Sequence, residues 1–189
     1  KATIFVSRPK FEPPGPELSE ARHPRLFAAI REVATAMGTN MPTAVYLVPE
    51  VNAFVAEVDG FGGFGRRRVM GIGLGLLHVD NISQVKATLA HEFGHFVGGD
   101  TWLSAMVYRT RSSIGRMLEA LGGGWLSKPF EWYGNLFLRV TYAVSRAQEL
   151  AADRAAVALA GTEAHVTGLE IEARSALLYS LFLRQEVGP

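Results

Sequence analysis

Two imidazoles and a carboxylate stand close together at His91, Glu92 and His95, in the run Ala90-His91-Glu92-Phe93-Gly94-His95-Phe96. In an α-helix, residues four apart share a face. His91 and His95 therefore offer two ring nitrogens to one cation, with Glu92 beside the position those rings leave open. This is the constellation of metal-assisted hydrolysis, in which a carboxylate next to the ion takes a proton from water. A catalytic zinc keeps three protein ligands and one place for water, so the two histidines need a carboxylate or a third histidine from elsewhere. The 189 residues include no cysteine, which excludes both a thiolate ligand and a disulfide.

Glu149 is the candidate. It lies in Ser145-Arg146-Ala147-Gln148-Glu149-Leu150-Ala151-Ala152-Asp153, where small residues let two helix backbones approach. Asp153, one helical turn further on the same face, is placed to accept a hydrogen bond from the far ring nitrogen of a ligand histidine, fixing its tautomer and raising its basicity. Arg146 reads equally as a solvated or ion-paired helix residue and as a brace for the site. His78 and His165 lack a partner motif and read as structural or solvated, and Asp100 reads as a helix cap.

Other elements must carry these groups together. Val85, Leu89, Phe93, Phe96 and Val97 recur at helical spacing and put the histidines on a helix, opened by Asp80, Asn81 or Ser83 and closed by Gly98-Gly99. Upstream, residues 1–23 form a proline-rich arm, and a helix runs from Pro24 through Phe27, Ile30 and Val33 to a stop at Gly38. Thr43 to Val48 and Ala53 to Val58 read as strands. Asp59 to Gly63 reads as a turn and Arg67 to Leu77 as a third strand, giving a small antiparallel sheet before the metal helix. Gly71, Gly73 and Gly75 suit a close-packed strand rather than a phosphate loop, because no Gly-Lys-Ser/Thr follows. Downstream, helices are expected from Trp102 to Leu121, from Pro129 to Gly161, and from a Thr162 cap onward.

His-Glu-Phe-Gly-His with the following Gly98-Gly99-Asp100-Thr101, and the S-R-x-x-E-x-x-A-D pattern from Ser145 to Asp153, resemble the HtpX-like and CAAX-prenyl-protease-type zinc metallopeptidases. These are gluzincins of metallopeptidase family 48. Asn52-Ala53-Phe54 is similar to the N-A-F stretch such proteins carry on a strand upstream of the metal helix. The resemblance covers roughly residues 24 to 160, and it implies a fold class of α+β: a mainly helical, zincin-like domain with about three antiparallel strands packed on the active-site helix. It implies one Zn²⁺ per chain held by His91, His95 and Glu149, Glu92 as the base, and a peptide or unfolded protein as substrate. Asn52, Ala53, Phe54 and Arg146 are the candidate substrate contacts. Between the two motifs, where membrane members of the family are strongly hydrophobic, Arg109, Arg111, Arg116, Glu119, Lys128, Glu131 and Arg139 punctuate this chain.

A single domain is expected from the length and from a hydrophobic fraction of 48%. The net charge of +1 argues against nucleic acid as a partner. No run of 18 uncharged apolar residues occurs, and no signal pattern opens the chain, which starts at Lys1. The expectation is an excised part of a longer bacterial protein, cytoplasmic or associated with the cytoplasmic membrane, with any membrane anchor outside this stretch. Two functions compete: a zinc endopeptidase acting on misfolded or membrane-associated proteins, and a zinc-stabilised or latent binding and regulatory domain. Glu92 favours the first, since a structural zinc site needs no base.

Overall fold

In the computed structural model the described residues are 11–59, 66–97, 110, 113–119, 122 and 127–187. The expectations for the turn at 60–63, for Gly98-Gly99 and Asp100, and for most of the Trp102 to Leu121 helix lie outside them, as do residues 1–10 of the arm.

The chain is α+β and mainly helical. Helix α1 (Pro24–Ala36) starts with Pro24 in its first turn and buries Ala29, Ile30, Val33 and Ala34. It is followed by strands β2 (Ala44–Val48), β3 (Ala53–Asp59) and β4 (Arg66–Gly73), with the short β1 (Glu17–Leu18) ahead of them. Then come α2 (Leu74–Val79), α3 (Ile82–Val97), a helical stretch α4 over 113–119, the long α5 (Lys128–Ala160), and α6 (Thr162–Phe182) with a π-helical end at Leu183–Val187.

The sheet departs from expectation in two respects. It has four strands, in the order β1-β2-β4-β3, and it is mixed rather than antiparallel. β2 and β4 run parallel from Ala44 opposite Val69 to Val48 opposite Gly73, whereas β3 pairs antiparallel to β4, with Ala53 opposite Ile72. The reason lies at Gly73. A side chain there would run into the carbonyl of Glu50, so the β2–β3 connection can cross the end of β4 only because that residue is glycine, and the Gly73 N–H donates to the Asn52 carbonyl at 2.8 Å. β4 thereby fits between two strands that are neighbours in sequence. Gly71 likewise lies under the Phe54 ring, as its cross-strand partner. The third predicted strand ends at Gly73, and Leu74 to Leu77 turn into α2, which brings Leu76 fully into the core. A short apolar run carries no period that separates the two outcomes.

One face of the sheet supplies Val45, Ala53, Met70 and Ile72 to the main core, where they meet Ile30 and Val33 of α1 and Leu89 and Phe93 of α3. Ala44, Tyr46 and Val69 face the other way and pack with Phe11, so this part of the proline-rich arm is docked on the sheet, and β1 extends it as a strand on β2. Helix α3 opens with a reciprocal cap. Asn81 Oδ1 accepts from the backbone N–H of Ser83 and Gln84 at 2.9 and 3.1 Å, and Gln84 Oε1 accepts from that of Asn81 at 2.9 Å. Of the three candidate caps, Asn81 is the one used. Between α5 and α6 the cap position is Gly161, at φ 87°, and Thr162 is already helical.

Candidate metal centre

Helix α3 directs Phe93 into the core with none of its surface exposed and turns His91 and His95 toward α5. Gly94, between the histidines, sets how near α5 comes. A Cβ there would stand 2.9 Å from the Ala152 Cα, a distance real Cβ atoms do not tolerate. Ala152 and Ala156 are fully buried in this crossing. Glycine on one helix and alanine on the other thus bring two backbones together and carry Glu149 to the histidines.

The three predicted ligand atoms converge. His91 Nε2 lies 3.1 Å from His95 Nε2, and Glu149 Oε2 is 3.5 Å from the first and 3.6 Å from the second. On the far side of its ring, His91 Nδ1 is 3.0 Å from Asp153 Oδ1. A carboxylate only accepts, so a favourable contact requires the proton on Nδ1 and leaves the Nε2 lone pair facing His95 and Glu149. That contact is short but too poorly aligned to count as a full hydrogen bond. One divalent cation placed among the three atoms would satisfy all of them at once. Burial first, and then the neighbouring His95, push the His91 pKa down, against the pull of Asp153 and Glu149. The ring is thus kept neutral, the form in which imidazole ligates.

Glu92 is half-buried. Loss of solvent raises its carboxyl pKa to about 7; His95 opposes the shift, and Glu149 and Glu172 add to it. In the metal-free chain this carboxyl therefore titrates near neutrality, and a bound cation would draw it toward the anion that accepts a proton. Glu172, on α6, accepts from Thr88 Oγ1 at 2.7 Å and contributes to this field, a part sequence reading did not assign it.

Of the candidate substrate contacts, Asn52 is exposed at the start of β3, where its Oδ1 accepts from the Ala53 N–H at 2.8 Å. The Ala53 side chain is buried in the main core, and Phe54 covers Gly71, so neither is an open pocket wall. β3 is the outer strand of the sheet beside β4, with its second edge unpaired among the described residues. Arg146 is exposed one helical turn before Glu149.

His165, read from sequence as structural or solvated, stands at the centre. It is buried, its Nε2 is 3.1 Å from Asp153 Oδ1, and its ring stacks near-parallel on His91 at 6.0 Å between centroids. The available signal was its position twelve residues after Asp153 across the helix break at Gly161. Spacing across a break, however, carries no angular information.

Comparison with known proteins identifies the family. The sequence profile of peptidase family M48 matches residues 20–177. "Protease HtpX" of Stenotrophomonas maltophilia is 26% identical over 167 residues, covering 77% of this chain and 56% of that protein. "Protease HtpX" of Idiomarina loihiensis is 27% identical over 168 residues, covering 76% and 55%. The "Protease HtpX homolog" of Nitrosomonas europaea shares 33% over 83 residues, covering 43% and 27%. The chain spans about half the length of the first two of these curated relatives, and no solved structure gives a significant match. The chain belongs to peptidase family M48, a family of metal-dependent peptidases, as the two motifs imply. No helix among the described residues is long and apolar enough to cross a membrane.

Proposed function

We propose that this member of peptidase family M48 is a zinc-dependent endopeptidase domain in which His91, His95 and Glu149 hold the metal and Glu92 moves the proton. The convergence of two imidazole nitrogens and one carboxylate oxygen at 3.1, 3.5 and 3.6 Å carries the reading. Two neutral imidazole nitrogens and one carboxylate oxygen form a set that suits zinc and leaves room for water. A zinc ion held by His91, His95 and Glu149 would supply Lewis-acid chemistry, lowering the pKa of water toward about 7 and polarising the scissile carbonyl.

The rest is the work of the chain itself. Glu92 accepts a proton from the water that adds to the carbonyl carbon, and its carboxyl returns that proton to the amide nitrogen as the C–N bond breaks, giving a carboxylate and an amine. Asp153 keeps the His91 proton on Nδ1. An extended peptide pairs with the outer edge of β3 through main-chain hydrogen bonds, a mode that holds many sequences alike. Asn52 and Phe54 flank that path and Ala53 contributes backbone alone, with Arg146 at the rim. The substrates that fit are unfolded or loosely structured polypeptides, in quality control or processing of membrane-associated proteins.

Metal content and peptide cleavage, measured on wild type, Glu92→Gln and Glu149→Ala, test this. Glu92→Gln should keep about one zinc per chain and lose cleavage by roughly 10²-fold or more, and Glu149→Ala should lose the metal. A wild type that takes up no zinc, or a Glu92→Gln variant as active as wild type, sinks the proposal.

A further inference from the structure

We propose that His165 is a positioning residue for the metal centre: from the first turn of α6 it pins the Asp153 carboxylate against His91 and so fixes the ring whose Nε2 faces His95 and Glu149. The inference rests on reading His91, His95 and Glu149 as the metal ligands. The family motif on which that reading depends ends at Asp153 and does not include His165.

One oxygen joins the three residues. Asp153 Oδ1 is 3.0 Å from His91 Nδ1 and 3.1 Å from His165 Nε2. Because the carboxylate only accepts, His165 Nε2 is the donor in its contact, as His91 Nδ1 must be in its own. The two histidines differ from the aspartate in surroundings. The Asp153 side chain is 42% exposed and left alone would be free to turn toward water, whereas that of His165 is 7% exposed. The His91 contact is poorly aligned and holds the carboxylate weakly. The buried histidine is therefore the fixed end of the chain, and the aspartate is the link.

His165 is itself held by the docking of α6. Gln84 Nε2 on α3 donates to Thr167 Oγ1 at 3.0 Å, Gly168 lies against the Gln84 side chain, and Thr88 Oγ1 donates to Glu172. Three helices thus set the orientation of one ligand ring: α3 bears it, α5 brings the carboxylate, and α6 locks that carboxylate from behind. Groups that orient a ligand histidine are commonly worth ten- to a hundredfold in metal affinity.

The test compares His165→Gln with His165→Met in the whole 189-residue chain. Glutamine keeps an N–H donor near the place of Nε2; methionine has similar volume and no donor. Zinc affinity is read by competition with a chromophoric chelator, and ligand geometry from the visible spectrum of the cobalt(II)-substituted protein. His165→Met should bind zinc roughly tenfold more weakly, with a shifted cobalt spectrum, and His165→Gln should stay near wild type. In an Asp153→Ala background the methionine substitution should cost nothing further, because the link is already gone. Equal affinity and equal spectra in the two His165 variants would overturn the proposal, and so would full additivity with Asp153→Ala. A wild type that binds no zinc would instead remove the metal-site reading on which the inference stands.

Discussion

Helix α5 is one uninterrupted element whose two halves live in different surroundings. From Lys128 to Val144 it carries Trp132, Tyr133, Val140 and Tyr142 at 52 to 73% exposed and buries Gly134 against Ile114, whereas from Ser145 onward its buried positions are Ala152 and Ala156, against α3. Large apolar residues lie outside and small ones inside. A helix satisfies its own backbone, so it can run past the neighbour it packs on. In the second half burial follows where α3 passes, and α3 passes only where both helices are narrow enough. The part that bears the chemistry is thus marked by Gly94, Ala152 and Ala156, not by hydrophobic bulk.

Mutations separate the halves. The largest effect is expected at Phe93, under the histidines: Phe93→Ala should cost about 3–5 kcal/mol in chemical denaturation. Trp132→Ala in the exposed half should stay within about 0.5 kcal/mol, and a larger loss there would mean that the first half is packed after all. Next is the crossing itself. Gly94→Val should cost about 1–3 kcal/mol through overpacking and should weaken zinc binding by more than that destabilisation alone explains, because it pushes Glu149 away. Unchanged metal affinity in that variant would detach the helix crossing from the site.

A smaller effect concerns charge. Glu92 in the folded protein titrates near 7, above its ordinary 4.5, mainly because burial disfavours the anion. Its folded state holds the proton more tightly than the unfolded chain, so its contribution is fully present below about 4.5 and is lost as pH rises through about 7. In metal-free protein Glu92→Gln should match wild type at pH 4 and be more stable by roughly 1–2 kcal/mol at pH 8. A stability difference independent of pH would refute the assignment. Asp80 behaves in the same sense. Among the described residues its buried oxygens have no donor unless a proton is shared with Glu172, and burial first, then Glu172, raise it to about 7. Asp80→Asn should give a similar but smaller gain at pH 8, on the order of 1 kcal/mol, read by the same denaturation series.

Much of this was legible in the chain, and for identifiable reasons. His91, Glu92 and His95 obey the i, i+4 rule of a helix, Asn81 and Gln84 make their cap within four residues, and Pro24 and Gly38 bound α1. Each is a contact between near neighbours, where backbone geometry repeats and position fixes direction. Ala53 to Val58 reads as a strand, but with Ala53 and Phe54 grouped as substrate contacts, and only the packing separates them: Ala53 enters the core and Phe54 lies over Gly71.

What sequence could not supply was every relation that passes through a break or depends on a close crossing. The insertion of β4 between β2 and β3 turned on the missing side chain of Gly73, and the turn into α2 on where Leu76 could be buried. Small residues around Glu149 indicate that it can meet the histidines, but the geometry of that meeting is set by Gly94 against Ala152. His165 reached Asp153 only because Gly161 folds α6 back and Gln84 and Thr167 dock it. Sequence by itself determined which chemical groups share a face of their own element. Tertiary structure decided which faces meet, because that depends on how closely two backbones approach and at what angle, and no local period encodes either.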